Sequence, residues 1–241
     1  MMIAAIAILA IIGGFVQTLT GFGAGVILMT VLPYVFGVIR AGALNASVCL
    51  GLNAVLAYQH RSRLEWKKIV FPGILYIVGT AIGIRMTGDF NVRFLTILFG
   101  LFLIAMAVYF LAFAKKAVIR PTPLAALLCC GVSGIFAGLF GIGGPMMALY
   151  FVQITDDHDS YIAALQTVFT VNGCLSLIQR VSRGLYTADL IPYTLVGLAL
   201  VLVGKRFGQR FVEKINVETF KKTVYAFVGI SGIVSIVQQL L

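Results

Sequence analysis

Two glycine-rich segments, Gly21-Phe22-Gly23-Ala24-Gly25 and Gly141-Ile142-Gly143-Gly144-Pro145, are the parts of this sequence best suited to chemistry. Glycine lets backbone N–H groups come close to a ligand, and a helix that begins after such a turn presents unpaired N–H groups and the positive end of its dipole. That combination binds anions. Pro145 suits the first helical turn, where its missing N–H is no loss. The polar side chains nearby are uncharged: Gln17, Thr18 and Thr20 before the first segment, then Asn45, Ser47 and Asn53. The second half offers Gln166, Thr167 and Thr170, with Asn172, Ser176 and Gln179 forming a second stripe at i, i+4 and i+7. The candidate contacts of an anion are therefore Gln17, Thr20, Gly21, Gly23, Gly25, Asn45, Gly141, Gly143, Gly144, Gln166, Thr170 and Asn172. Gln17, Asn45 and Gln166 are the foremost, with Asn172 close behind. The competing reading of such amides and hydroxyls is helix–helix glue, at about 0.6 kcal/mol each.

What is absent narrows the chemistry. The long apolar runs hold no Lys, Arg, Asp, Glu or His, so no carboxylate relay is expected at mid-depth. A site of dipoles suits a permanently ionised oxyanion, whereas a bare cation needs carboxylates or many carbonyls. No nucleophile, acid–base pair or metal cluster is visible, which argues against an enzyme and against a cofactor or metal. Cys49, Cys129, Cys130 and Cys174 lie in apolar runs without a Cys-x-x-Cys spacing and read as small hydrophobes. Arg85 and Arg206 close long apolar segments. They read either as snorkelling, topology-setting charges or as an electropositive vestibule and gate that draws anions in.

The elements that position these residues are membrane helices. The chain of 241 residues is 61% hydrophobic and 11% charged, against roughly a quarter charged in soluble domains. Its charges collect between uncharged runs at 1–39, 41–59, 69–84, 94–114, 121–155, 160–179, 190–204 and 223–241. Most are about the length that spans a bilayer, and the two longest contain the glycine segments. The net charge of +10 fits basic cytoplasmic loops rather than nucleic-acid binding. Met1-Met2-Ile3-Ala4-Ala5 lacks the basic region of a signal peptide.

An offset of about 120 residues brings Gly14 onto Gly134, Gly21/Gly23 onto Gly141/Gly143, Gln59 onto Gln179, Arg63 onto Arg183 and Pro72 onto Pro192. One step later Gly83 and Arg85 meet Gly204 and Arg206, and Asn91-Val92 matches Asn216-Val217. Shared order and spacing indicate an internal repeat, 1–118 and 119–241, that together form one transporter domain. Five helical pieces are expected per half: about 2–20, 23–38, 41–60, 67–86 and 92–114, then 122–140, 143–155, 160–180, 187–208 and 218–240. The short pieces after the glycines either complete a hairpin or dip to mid-depth and return. An odd number of crossings inverts the second half, and the basic clusters do swap loops between halves. The expected fold is therefore an all-α polytopic membrane protein of two inverted repeats, each with a Gly-broken helical hairpin near the midplane. The alternative is eight spans in parallel repeats. Paired breaks in matching positions mark the binding site of a secondary transporter.

The stretch from Gly13 to Gly25 and its counterpart from Gly131 to Pro145 resemble the TauE/SafE sulfite exporter family, also called the toluene sulfonate uptake permease family. The Gly138-x-x-Gly141-x-Gly143-Gly144 pattern is the more specific of the two, and the resemblance spans essentially the whole chain. Phe22 and Ala24 depart from it, standing where the second half has Ile142 and Gly144. The resemblance implies a multi-pass carrier in a prokaryotic plasma (inner) membrane for sulfite, thiosulfate or an organosulfonate; alternating access around a midplane site, in a monomer or homodimer, is the expected arrangement. Both export and uptake occur in the family, so direction stays open. A hydrogensulfite would carry its own proton and a sulfonate would not, which leaves proton coupling open too. The alternatives are a passive anion channel and a carrier of a small carboxylate.

Overall fold

A computed structural model describes residues 2–109, 111, 120–211 and 217–240, with side chains described for 6–109, 111, 120–210, 226 and 228–239. Most of these residues are helical, with no strand among them. The first half contains α1 (Met2–Thr20), α2 (Ala24–Leu28), α3 (Leu32–Phe36), α4 (Val38–His60), α5 (Trp66–Met86) and α6 (Val92–Val108). The second contains α7 (Pro123–Ala126), which passes through a π turn at Leu127–Gly131 into α8 (Val132–Phe140). Then come α9 (Gly144–Ile154), α10 (His158–Ser182), α11 (Ile191–Phe211) and α12 (Val217–Leu240). The expected boundary at 118/119 and the end of the fifth piece lie outside the described residues.

Local chemistry sets several starts. Asn91 caps α6 by accepting from the Phe94 N–H at 2.7 Å, and Asp157 caps α10 through the Ser160 N–H at 2.8 Å. Thr122 caps α7, with Pro123 in the first turn. The piece expected over 23–38 is two short helices, broken at 29–31 and again at Gly37, whose φ of 73° turns the chain into α4. Its counterpart α9 is continuous.

Among the described residues, five helices are long and apolar enough to cross a membrane: Val38–Arg63, Trp66–Met86, Pro123–Phe140, His158–Ser182 and Ala188–Arg210. Four shorter apolar helices accompany them. Phe71, Ile74, Val78 and Ile82 form an exposed stripe along α5, which suits contact with lipid tails and not with water.

The most extensive packings are α1 on α11, α5 on α8, α4 on α10 and α6 on α12. Exchanging α1 with α8, α4 with α10, α5 with α11 and α6 with α12 leaves this scheme unchanged. His60, at the end of α4, lies 3.3 Å from Asp159, at the start of α10, and Gly173 packs on Leu50. α4 and α10 thus run antiparallel. So do α6 and α12, where Gly229 faces Ala107 and Gly232 faces Leu103.

The other two packings are parallel and glycine-mediated. A Cβ at Gly134, Gly138, Gly79 or Gly83 would collide with a backbone carbonyl across the α5–α8 contact, and one at Gly14 or Gly204 would do so across α1–α11. This geometry corrects the expected register of the second half. Gly79 and Gly83 meet the Gly131 and Ile135 carbonyls as Gly204 and Gly208 meet those of Ile11 and Phe15. α5 and α11 are 21 residues each, starting at Trp66 and Ile191. Gly204 therefore corresponds to Gly79, not Gly83, and Arg85 to Arg210, not Arg206. The extra residues fall in the connection between α10 and α11, where a turn costs little packing.

Candidate functional site

Both glycine segments end a helix in the same way. The Gly21 N–H donates to the Gln17 carbonyl at 2.8 Å and the Gly141 N–H to the Ala137 carbonyl at 2.9 Å, with φ of 78° and 70°. Each is a left-handed C-terminal turn that glycine adopts without steric cost. The chain then restarts at α2 and α9. The two segments touch: Gly144 lies against Phe22, and Gly25 against the Gly141 carbonyl.

Between them is a cavity of about 70 Å³, several times the ~10–15 Å³ that one water needs. Gln17, Phe22, Gly23, Gly25 and Val26 line it from the first hairpin; Ala137, Gly141, Ile142, Gly143 and Gly144 line it from the second. α4 contributes Ala46, Cys49 and Asn53, α5 contributes Tyr76, and α10 contributes Phe169, Asn172, Gly173 and Ser176. Gly143 and Gly144, where α9 begins, line this space, and the opening N–H groups of a helix have no partner within it.

Of the twelve residues expected to contact an anion, Gln17, Gly23, Gly25, Gly141, Gly143, Gly144 and Asn172 line the cavity. The other five do not. The Thr20 hydroxyl donates to backbone carbonyls, at 3.0 Å in the case of Val16, and the Thr20 carbonyl accepts from Tyr161 at 2.8 Å. Thr170 donates to the Gln166 carbonyl at 2.7 Å. Asn45 and Gln166 are fully buried and act as braces: Asn45 Nδ2 donates to the Gly141 carbonyl at 3.1 Å, and Gln166 Nε2 to the Gly21 carbonyl. Each thus fixes the left-handed turn of the opposite half. Gln17 does both jobs. Its Oε1 accepts from the Ala24 N–H at 3.2 Å, capping α2, and its Nε2 donates to Asn53 Oδ1. Arg85 and Arg206 are exposed and away from the cavity lining.

Asn172 is the lining side chain with the clearest capacity for a ligand, because its Oδ1 is buried without a hydrogen-bond partner. An amide can turn over to present either N–H or C=O.

A charge also lies beside this site, where only dipoles were expected. Arg180 is fully buried. Its Nε donates to Ser176 Oγ at 3.2 Å, and its Nη2 to the carbonyls of Ala137 at 3.1 Å and Gly138 at 2.6 Å. The sequence places it at the edge of a span, where an arginine turned to solvent reads identically to one turned inward. Cys49, Tyr76 and Phe169 were also unmarked, since apolar residues in an apolar run carry no signal. Among the described residues no group of three or more His, Cys, Asp or Glu could hold a metal ion.

The family model described as Sulfite exporter TauE/SafE matches residues 6–235. The chain is 25% identical over 230 residues to a protein of Cupriavidus necator named "Probable sulfite/organosulfonate exporter TauE", covering 91% of this chain and 88% of that one. It is 23% identical over 246 residues to the "Probable membrane transporter protein MJ0441" of Methanocaldococcus jannaschii, covering 94% and 92%. No solved structure matches.

Proposed function

Because the chain belongs to the TauE/SafE sulfite exporter family and is a multi-pass membrane transporter rather than an enzyme, we propose that it is a secondary carrier of a small sulfur-containing anion. Sulfite, thiosulfate and organosulfonates are the candidate substrates, and the cavity between the glycine segments is the site around which access alternates. The observation that carries this reading is the convergence of both segments on one cavity that also holds the unpartnered Asn172 oxygen. Donors there would be the Gly143 and Gly144 N–H groups together with the Asn172 amide. Charge-assisted hydrogen bonds of roughly 1.5–3 kcal/mol each offset the dehydration of an oxyanion.

The way the halves pack supports alternating access. Helices that correspond between halves, α4 with α10 and α6 with α12, run antiparallel. This supports an inverted repeat with its twofold axis in the membrane plane. Exchange of the two halves' conformations would then carry the cavity from one face to the other. The two named relatives come from a bacterium and an archaeon, which supports a prokaryotic plasma membrane.

A thermal-stability screen of the purified protein tests the substrate class. Sulfite, thiosulfate or a sulfonate should raise the unfolding temperature, and acetate or lactate should not. Stabilisation by the carboxylates alone would favour a carboxylate carrier, and the absence of any shift would count against a binding site here.

A further inference from the structure

Arg180 presents a charge that no ion pair among the described residues compensates. Each described ion pair involves other residues: Arg40 with Asp189, His60 with Asp159, and Lys68 with Glu65 and Asp156. The guanidinium is fully buried and held on two sides, by Ser176 Oγ at Nε and by the α8 carbonyls at Nη2. Its remaining nitrogen, Nη1, is buried with no partner. Two of its anchors, Ser176 and Ala137, belong to residues that line the cavity.

Capping the carbonyl end of α8 accounts for the Nη2 contacts, since a cation there opposes the negative end of the helix dipole. It accounts neither for the orphaned Nη1 nor for a buried cation without a counter-ion, which is strongly unfavourable unless something compensates it. We infer that Arg180 is the fixed positive charge of the anion site and that the transported anion is its counter-ion. One anion oxygen meets the free Nη1 edge, while others meet the Gly143 and Gly144 N–H groups and the Asn172 amide. A single fixed charge balances a monoanionic head, so hydrogensulfite and sulfonates fit better than a dianion such as sulfate. This assignment rests on reading the cavity as an anion site.

Titration calorimetry of the purified full-length protein with ethanesulfonate tests it. Arg180→Gln should bind roughly tenfold to a hundredfold more weakly, matching loss of one charge-assisted hydrogen bond. Arg180→Lys, which keeps the charge, should bind more tightly than Arg180→Gln. Equal affinity in Arg180→Gln and the unsubstituted protein would overturn the assignment, leaving Arg180 a cap that shifts the unfolding temperature but not binding. A competition needing no substitution keeps the idea testable if Arg180→Gln does not fold. Sulfate should displace ethanesulfonate from the unsubstituted protein roughly tenfold less effectively than methanesulfonate does, and sulfate binding as tightly would contradict a single fixed charge. Should the unsubstituted protein bind neither ethanesulfonate nor sulfite nor thiosulfate, the sulfur-anion reading itself fails, which is distinct from binding that ignores Arg180.

Discussion

Asn45 Nδ2 donates to the Gly141 carbonyl at 3.1 Å, binding a helix of the first half to the glycine turn of the second. Gln166 returns the contact by donating to the Gly21 carbonyl. Both amides looked like ligand contacts in the sequence. Their positions instead fix the turns from which α2 and α9 set out, so the two breaks hold one another in shape.

Asn45→Ala and Gln166→Ala should therefore act on stability. Each removes the donor to a buried carbonyl and should cost about 1 kcal/mol, measured as a lower unfolding temperature in detergent. The stabilisation conferred by a bound sulfonate should persist. A variant of normal stability that no longer binds would show that the amide contacts the anion after all.

Asn172→Ala should behave in the opposite way. Its Oδ1 has no hydrogen-bond partner, so truncation removes little from the ligand-free protein. Sulfonate affinity should fall roughly tenfold, about 1.4 kcal/mol, in titration calorimetry, while the ligand-free unfolding temperature stays close to its original value.

Gly23 has a φ of 118°, and a Cβ there would lie 2.9 Å from Val16 Cγ1. Gly23→Ala should combine left-handed strain of about 1–2 kcal/mol with a steric clash, and lower both stability and transport. Gly184→Ala is the control. Gly184 shares a positive φ, 69°, but nothing lies within 4 Å of an added Cβ. It should show the strain alone, with transport retained, in parallel melting and uptake measurements.

The glycine contacts between parallel helices leave no room for a side chain. Gly134→Val and Gly204→Val would each drive a side chain into a backbone carbonyl of α5 or α1. Both should abolish the monodisperse peak in size-exclusion chromatography, whereas Gly88→Ala, whose Cβ would lie 3.9 Å from the Arg85 carbonyl, should not.

Much of this architecture was legible in the sequence, and for physical reasons. Uncharged runs of spanning length gave the helices, and the two glycine segments marked the breaks. The residues lining the cavity include seven of the twelve expected contacts, because glycines at a break have few other uses. The roles of Asn45, Gln166 and Arg180 were not legible. An amide in an apolar helix looks the same whether it faces a ligand or a distant carbonyl, and only the packing of α4 and α10 against the opposite hairpins decides. Arg180 fails for a related reason, since a long side chain at the edge of a span can turn either way. The register of α11 was misplaced because the extra residues before it sit in a loop without a hydrophobic pattern to anchor an alignment.

The central claim is that the cavity between the two glycine breaks binds and carries a small sulfur anion. Counterflow of labelled ethanesulfonate in proteoliposomes, comparing the unsubstituted protein with Asn172→Ala, tests it most directly. The account predicts saturable counterflow that unlabelled sulfonate drives, with roughly tenfold weaker apparent affinity in Asn172→Ala. Non-saturable flux, or identical affinity in the two proteins, would contradict it.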